Sequence, residues 1–418
     1  MPLKPENGEL TPSETVAALD RYIVGQEPAK RALALALRQR WRRHALPAES
    51  EMPSNRHVLL IGPTGVGKTA LVQRLAAVAG VPFLQVEVSR FLSNGARVGE
   101  RILNELVEST LRDVREQARR RHRGTAEAAA SDRILDVLSP RRRGSSFLVE
   151  VGTGSAESDD RKRLRQHMNA GAFDEQEIEI ELGIRSDKKH KRLLTVANAR
   201  ELLLEEELAE LLDPDSLRLQ AMEGCERHGI VYLHGLDRLL GKGAETGALG
   251  DAQRELLRLL DNALIETRYG PLRTGDLLFV ASGHFEKARP DELMPALQSR
   301  FPIRAQLDAL SEEDLRRILG DSESSPLREA QALFTAEGVT LEFTADAIER
   351  LAEIAGQLNE IGRDLGAHRL PPLCERLLGE AGIEADRRNG QRQVFDRDAV
   401  DFALGEILDD KALSRDLL

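Results

Sequence analysis

His57-Val58-Leu59-Leu60-Ile61-Gly62-Pro63-Thr64-Gly65-Val66-Gly67-Lys68-Thr69 is the stretch that decides the fold: four apolar residues run straight into a glycine-rich turn ending in Lys-Thr. It reads as strand, phosphate loop and helix. Gly62, Gly65 and Gly67 let the backbone turn its N–H groups inward around phosphate oxygens, Lys68 reaches the β- and γ-phosphates, and Thr69 is placed to ligate Mg²⁺. The following helix, apolar at Leu71, Val72, Leu75 and Ala76, adds its N-terminal dipole to the same anion site. A glycine-rich turn with a chance lysine is the competing reading, and it explains neither the strand before nor the helix after.

Working outward, the next strands share the apolar character of strands buried on both faces. Ile230 to Leu233 is such a run, and Pro82 to Val88, Leu277 to Ala281 (ending at Ser282-Gly283) and Ile303 to Leu307 read as further strands; strand-helix-strand spacing predicts a parallel α/β sheet. Upstream, Thr11-Pro12-Ser13-Glu14 signals a helix start, and a second helix runs from Glu27 to Arg43. Between them Ile23-Val24 precedes Gly25, an apolar pair suited to wall off an adenine base. From about Leu111 to Asn198 the sequence turns charged, alanine-rich and weakly periodic. This reads as an insertion, with a mobile loop over Gly144 to Ser158, an exposed strand over Glu177 to Leu182 and helix resuming at Asn198. Beyond Ser311 amphipathic helices dominate, with a break expected at Pro371-Pro372. The expected domains are 1–110 with 215–310 as the α/β nucleotide-binding domain, 111–214 as a mainly helical inserted domain, and 311–418 as a C-terminal helical domain.

Composition bounds the function. The 418 residues suffice for two or three domains, and 41% hydrophobic with 31% charged residues is the balance of a soluble chain. No apolar run approaches the ~20 residues of a membrane span. The N-terminus lacks the apolar segment of a signal peptide, so a cytoplasmic location with no membrane partner is expected. The net charge of −11 argues against nucleic acid as a partner, and the basic runs Arg119-Arg120-Arg121 and Arg141-Arg142-Arg143 lack interleaved aromatics. Cys225 and Cys374, the two cysteines, have no neighbouring ligand pair and read as buried thiols.

The ordered segments Y-I-V-G-Q (22–26), GPTGVGKT (62–69), a charged insertion, HGIVYL (228–233), LLFVASGHF (277–285), PALQSRFPIR (295–304) and a terminal LSRDLL (413–418) resemble HslU, also called ClpY. That family supplies the AAA+ ATPase subunits of the bacterial HslUV protease. The resemblance runs nearly end to end, the insertion being short and divergent. It implies an AAA+ phosphate-loop fold, ATP and Mg²⁺ as cofactors, and a homo-oligomer, usually a hexameric ring. Such a ring unfolds protein substrates through its pore and feeds an HslV-type peptidase. By position, Ile23 and Val24 resemble the adenine contacts and Gly65, Val66, Gly67, Lys68, Thr69 and Ala70 the phosphate-binding turn. Ser282 falls at the sensor position, and Arg300 matches the arginine finger that reaches a neighbouring subunit's ATP. In phosphate-loop enzymes such an arginine contributes about 10³–10⁵ in rate.

The departures fall on catalytic positions. The family's Walker B strand ends in Asp-Glu, and here Leu233 is followed by His234-Gly235. An imidazole is a poor partner for Mg²⁺, which prefers hard oxygens. Gly235 offers no base, and a missing general base typically removes about 10²–10⁴ in rate. Asp237 lies two positions on and, counted along the chain, is not an obvious replacement. Ala296 stands where the family has a glutamate, His368 where it has the sensor-2 arginine, and Gly95-Ala96-Arg97-Val98-Gly99 lacks the substrate-gripping aromatic of the pore loop. At the C-terminus Asp416 replaces an aromatic before Leu417-Leu418. Three functions are therefore carried forward: an ATP-driven unfoldase ring feeding HslV, its catalysis impaired or retained by unusual residues; a non-hydrolysing nucleotide-binding scaffold or regulator of HslV or of an active HslU paralogue; and, least supported, another phosphate-loop enzyme such as a small-molecule kinase.

Overall fold

The structure is a computed structural model that describes residues 10–44, 57–93, 97–139, 159–182, 190–241, 247–286, 288–361, 364–383 and 391–409. Its chain divides into two compact units, one of residues 109–221 and one of the remainder.

In the larger unit the first elements are α1 (Pro12–Asp20), α2 (Glu27–His44), β1 (Val58–Ile61), α3 (Lys68–Ala79), β2 (Phe83–Glu87), α4 (Arg90–Ser93) and the start of α5 (Val98–Leu138). The smaller unit holds the rest of α5, then α6 (Asp159–Asn169), β3 (Glu177–Leu182), β4 (His190–Thr195), α7 (Val196–Leu211) and most of α8 (Pro214–His228). The larger unit resumes with β5 (Ile230–His234), α9 (Gly247–Leu260), β6 (Leu264–Thr267), β7 (Gly270–Arg273), β8 (Leu278–Gly283), α10 (Pro295–Arg300) and β9 (Ile303–Gln306). It ends with α11 (Glu312–Gly320), α12 (Pro326–Ala336), β10 (Thr340–Phe343), α13 (Ala345–Ile361), α14 (Leu370–Ile383), β11 (Arg392–Phe395) and α15 (Arg397–Asp409).

The central sheet is five parallel strands in the order β2-β5-β8-β1-β9. Alternate residues leave each strand on opposite faces, and both faces are covered. Leu59, Val231, Leu233, Phe279 and Ala281 join a core with Ile102 and Leu106 of α5 and Leu256 and Leu259 of α9. Val58, Leu60, Ile230, Tyr232 and Val280 face Leu19 of α1, Leu33 of α2 and Leu71 and Leu75 of α3. Burial on both sides is why the three inner strands β5, β8 and β1 are continuous apolar runs, while the edge strands β2 and β9 carry Gln85, Glu87, Arg304 and Gln306. The register pairs Leu60 with Ser282, Ile61 with Gly283 and His234 with Ser282, so the phosphate loop and the ends of β5 and β8 emerge along one edge.

The C-terminal helices have a core of their own, centred on Leu315, Leu351, Ile354, Leu373, Leu377 and Leu404. It also contains a parallel β10–β11 pair, two four-residue strands that no periodicity in this helical region signals. The helix expected to break at Pro371-Pro372 instead begins there, because a 3₁₀ turn over Gly366–Arg369 precedes α14 at Leu370. Proline in a first turn lacks only an N–H that would have no helical partner anyway.

Within residues 109–221, Ile134, Leu135, Met168, Ile178, Ile180, Val196 and Leu203 form a separate core. β3, expected to be exposed, pairs with β4 and buries Ile178 and Ile180 while its glutamates face out. α7 begins before Asn198: Thr195 caps it, its hydroxyl accepting the Asn198 N–H at 3.4 Å. Cys225 and Cys374 are both buried free thiols. Among the described residues no helix is long and apolar enough to cross a membrane. Gly95 and Ala96 of the altered pore segment, Arg141 to Arg143, the 144–158 loop and Asp416 to Leu418 lie outside the described residues.

Candidate nucleotide-binding site

The loop after β1 has the conformation its glycines predict. Gly65 and Gly67 sit at φ +79° and +92°, left-handed values that cost a residue with a Cβ roughly 1–2 kcal/mol, and Gly67 caps α3. Lys68 is 8% exposed, and its Nζ donates to the carbonyls of Gly62, at 2.8 Å, and Pro63. Burial pulls its pKa from the usual 10.5 to about 8, with the Asp237 carboxylate opposing.

Two distant segments hold this loop. Leu307, just past β9, donates its N–H to Ile61 O at 2.7 Å, and a Cβ on Gly62 would come within 2.5 Å of the Leu307 carbonyl. From the C-terminal helices, Ala367 N–H donates to Gly65 O at 3.1 Å; a Cβ on Gly65 would sit 1.7 Å from Leu365 O. Asn359 shapes that second contact: its Oδ1 accepts from Leu365 N–H and from Arg369 Nε, and its Nδ2 donates to Gly366 O. Ile23 and Val24 are buried, and Ile23 shares an apolar cluster with Val66. Gln26 fixes the turn beneath them by exchanging two hydrogen bonds with the Asp308 backbone.

The ends of β5 and β8 carry a line of polar side chains. Thr69 Oγ1 lies 3.2 Å from Tyr232 Oη, Tyr232 Oη lies 2.7 Å from Ser282 Oγ, and Ser282 Oγ lies 3.4 Å from His234 Nδ1. Tyr232 and Ser282 are fully buried, so their hydroxyls need these partners. Burial first, then the nearby Lys68 ammonium, hold the His234 pKa below its usual value and so favour the neutral ring, against Asp237. Gly235 follows at φ +81°, its N–H donating to Ser282 O at 2.9 Å.

Two family models match this chain: the ATPase family associated with various cellular activities (AAA) over residues 58–134, and the AAA domain (Cdc48 subfamily) over residues 142–319. Together with the parallel sheet and phosphate loop they decide the class. This is an AAA+ phosphate-loop NTPase fold.

The AAA+ domain brings most of the candidate residues to one edge. Gly62, Gly65, Val66, Gly67, Lys68 and Thr69 form the loop, Ala70 is exposed in the first turn of α3, and Ser282, His234 and Gly235 lie alongside. His368 is exposed in the Gly366–Arg369 turn and is close enough to His234 for their charges to be felt. Arg369, its neighbour, is buried on Asn359. Ala296 is exposed in α10, where its carbonyl accepts from Ser299 Oγ. Arg300 pairs with Asp261 of the same chain at 2.5 Å, and its buried Nε has no hydrogen-bond partner.

Mg²⁺ requires oxygen ligands but few of them from protein, because it keeps several waters and shares the nucleotide's phosphates. Among the described residues no cluster of three or more His, Cys, Asp or Glu could hold a metal alone. Thr69 Oγ1 and the half-buried Asp237 carboxylate are hard oxygens at this edge, and the donor set fits a nucleotide-borne Mg²⁺. Tyr232 and Asp237 are the residues that sequence reasoning missed or set aside. Tyr232 sits in an apolar run and reads as core; the signal for Asp237 is Gly235, whose left-handed backbone curls the chain back over the strand ends.

Proposed function

We propose that this chain is an ATP-binding subunit of an HslU-like ring ATPase in which hydrolysis is slow because the strand-end acids are replaced. The observation that carries the reading is the contrast at one sheet edge. The phosphate loop keeps its glycines, lysine and threonine, while β5 ends in His234, hydrogen-bonded to Ser282, and is followed by Gly235, which has no side chain. Nucleotide occupancy is thereby separated from turnover. With ATP bound, Lys68 and the loop N–H groups neutralise and orient the phosphates, and Thr69 faces the Mg²⁺ that comes with them. Ile23 and Val24 flank the base.

In this reading copies of the chain assemble into a ring, usually hexameric in the resembled family, in the cytoplasm, and act on an HslV-type peptidase and its protein substrates. Arg300 leaves Asp261 to reach a neighbour's γ-phosphate. A regulator that works by occupancy alone is the second reading, favoured by the same loss of acids.

Nucleotide binding and hydrolysis by the purified chain, with and without an HslV-type peptidase, test this. Expected are micromolar ATP affinity, loss of binding in Lys68→Ala, and turnover far below one per second. Binding that survives Lys68→Ala refutes the site, and fast turnover refutes the impairment. His234→Asp with Gly235→Glu is expected to raise turnover. The glutamate must adopt or escape φ +81°, at roughly 1–2 kcal/mol of stability, so a lower melting temperature accompanies the gain. An unchanged rate in the folded double variant would show that these two positions do not limit hydrolysis.

A further inference from the structure

Beyond β5 the chain makes a 3₁₀ turn over Leu236–Leu239. Leu236 and Leu239 are fully buried in the core between the sheet and α9, which fixes the turn. Gly235 N–H is held by Ser282 O, Arg238 N–H by Gly235 O and Leu240 N–H by Asp237 O, so the backbone of Asp237 has little freedom. Its side chain leans over the end of β8: Oδ1 lies 2.8 Å from where a Cβ on Gly283 would stand. Gly283 O in turn accepts the N–H of Gly62, the first loop glycine, at 3.3 Å. The carboxylate therefore stands beside the root of the phosphate loop, and its charge is felt at both Lys68 and His234.

Asp237 is also free to take a ligand. Among the described residues no hydrogen bond or ion pair engages its side chain. The adjacent Arg238 pairs with Glu87, and two of the three Lys68 donors go to the Gly62 and Pro63 carbonyls. A half-buried carboxylate with no hydrogen-bond donor is open to a cation ligand. Asp237 lies on the same edge as Thr69, the loop hydroxyl placed for Mg²⁺, and neither His234 nor Gly235 has a side-chain oxygen.

We propose that Asp237 is the metal-facing carboxylate of this site, holding the Mg²⁺ of bound Mg·ATP through its water shell in place of the missing strand-end aspartate. This rests on the nucleotide-binding reading above; a Cβ on Gly283 would meet both the Phe285 ring, at 2.4 Å, and this carboxylate, at 2.8 Å.

The test compares ATPγS affinity with and without Mg²⁺ in the parent chain, Asp237→Asn, Asp237→Glu and Lys68→Ala, alongside electron paramagnetic resonance of Mn²⁺ bound with ATPγS. In the parent, metal should tighten ATPγS at least tenfold. Asp237→Asn should leave the metal-free affinity no weaker than the parent's, lose the enhancement and alter the Mn²⁺ spectrum, and Asp237→Glu should restore part of it. An undiminished enhancement in folded Asp237→Asn overturns the assignment while leaving nucleotide binding intact, and so does an equal loss of affinity with and without metal, which marks a structural role. A parent chain without ATPγS binding, or binding that persists in Lys68→Ala, overturns the nucleotide reading and this proposal with it.

Discussion

Raising the pH from 7 to 9 interrogates Lys68 directly. Its ammonium is enclosed by the phosphate loop, and burial lowers its pKa to about 8, so it is about nine-tenths charged at pH 7 and about one-tenth charged at pH 9. Only the charged form attracts phosphate. Affinity for ATPγS should fall with the charged fraction, roughly tenfold or ~1.4 kcal/mol between pH 7 and 9, mostly above pH 8. The nucleotide's terminal phosphate, with a second pKa of about 6, changes little in this window. Isothermal titration calorimetry in two buffers of different ionisation enthalpy should therefore show uptake approaching one proton on binding at pH 9 and little at pH 7. Lys68→Arg keeps its charge throughout and should give a flat profile if it binds. A parent affinity constant from pH 7 to 9, or an equal fall in Lys68→Arg, refutes the buried-ammonium argument. The empty protein carries the matching signature in stability. A lysine whose folded pKa lies below its unfolded one is unfavourable while charged. Between about pH 8 and 10.5 the unfolded chain binds more protons, so this group's contribution to stability rises with pH there, by at most about 3 kcal/mol.

Two further perturbations probe the walls of the site. Tyr232→Phe removes the hydroxyl shared by Thr69 and Ser282 and leaves buried Ser282 short of a partner, which should cost about 1–3 kcal/mol in urea unfolding; an unchanged midpoint would show that the hydroxyl chain is not engaged. Gly65→Ala places a Cβ against Leu365 O at φ +79°, and should lower stability by more than the ~1–2 kcal/mol of the backbone strain alone while speeding hydrogen exchange at Ala367; unaltered exchange there would argue against the contact.

Much of this was legible in advance because the chemistry is local. A phosphate loop needs glycines at particular spacings, a strand buried on both faces needs consecutive apolar residues, and Thr11 with Glu14 makes the capping box that starts α1. What escaped is what distance along the chain hides. Ala367 meets Gly65 some three hundred residues away, Asn359 organises that meeting, and β10 pairs with β11 across two helices. The sequence places the start of α7 at Asn198, and the structure shows the helix already under way from its cap at Thr195.

Asp237 shows the same lesson inside a single turn, and it changes how the lost acids should be weighed. Counted along the sequence it lies beyond the strand end, too far on to stand in for residue 234. Gly235 alters that, because a left-handed residue followed by a 3₁₀ turn reverses the chain and leans the carboxylate over Gly283. An L-residue at 235 would resist that backbone. Gly235, where the resembled family carries a glutamate, is thus also the residue that favours bringing an aspartate beside the phosphate loop. His234 fits beside it, taking its place against Ser282 without adding a second negative charge. His234, Gly235 and Asp237 are best treated as one coupled unit, whose members' single-variant effects should not add.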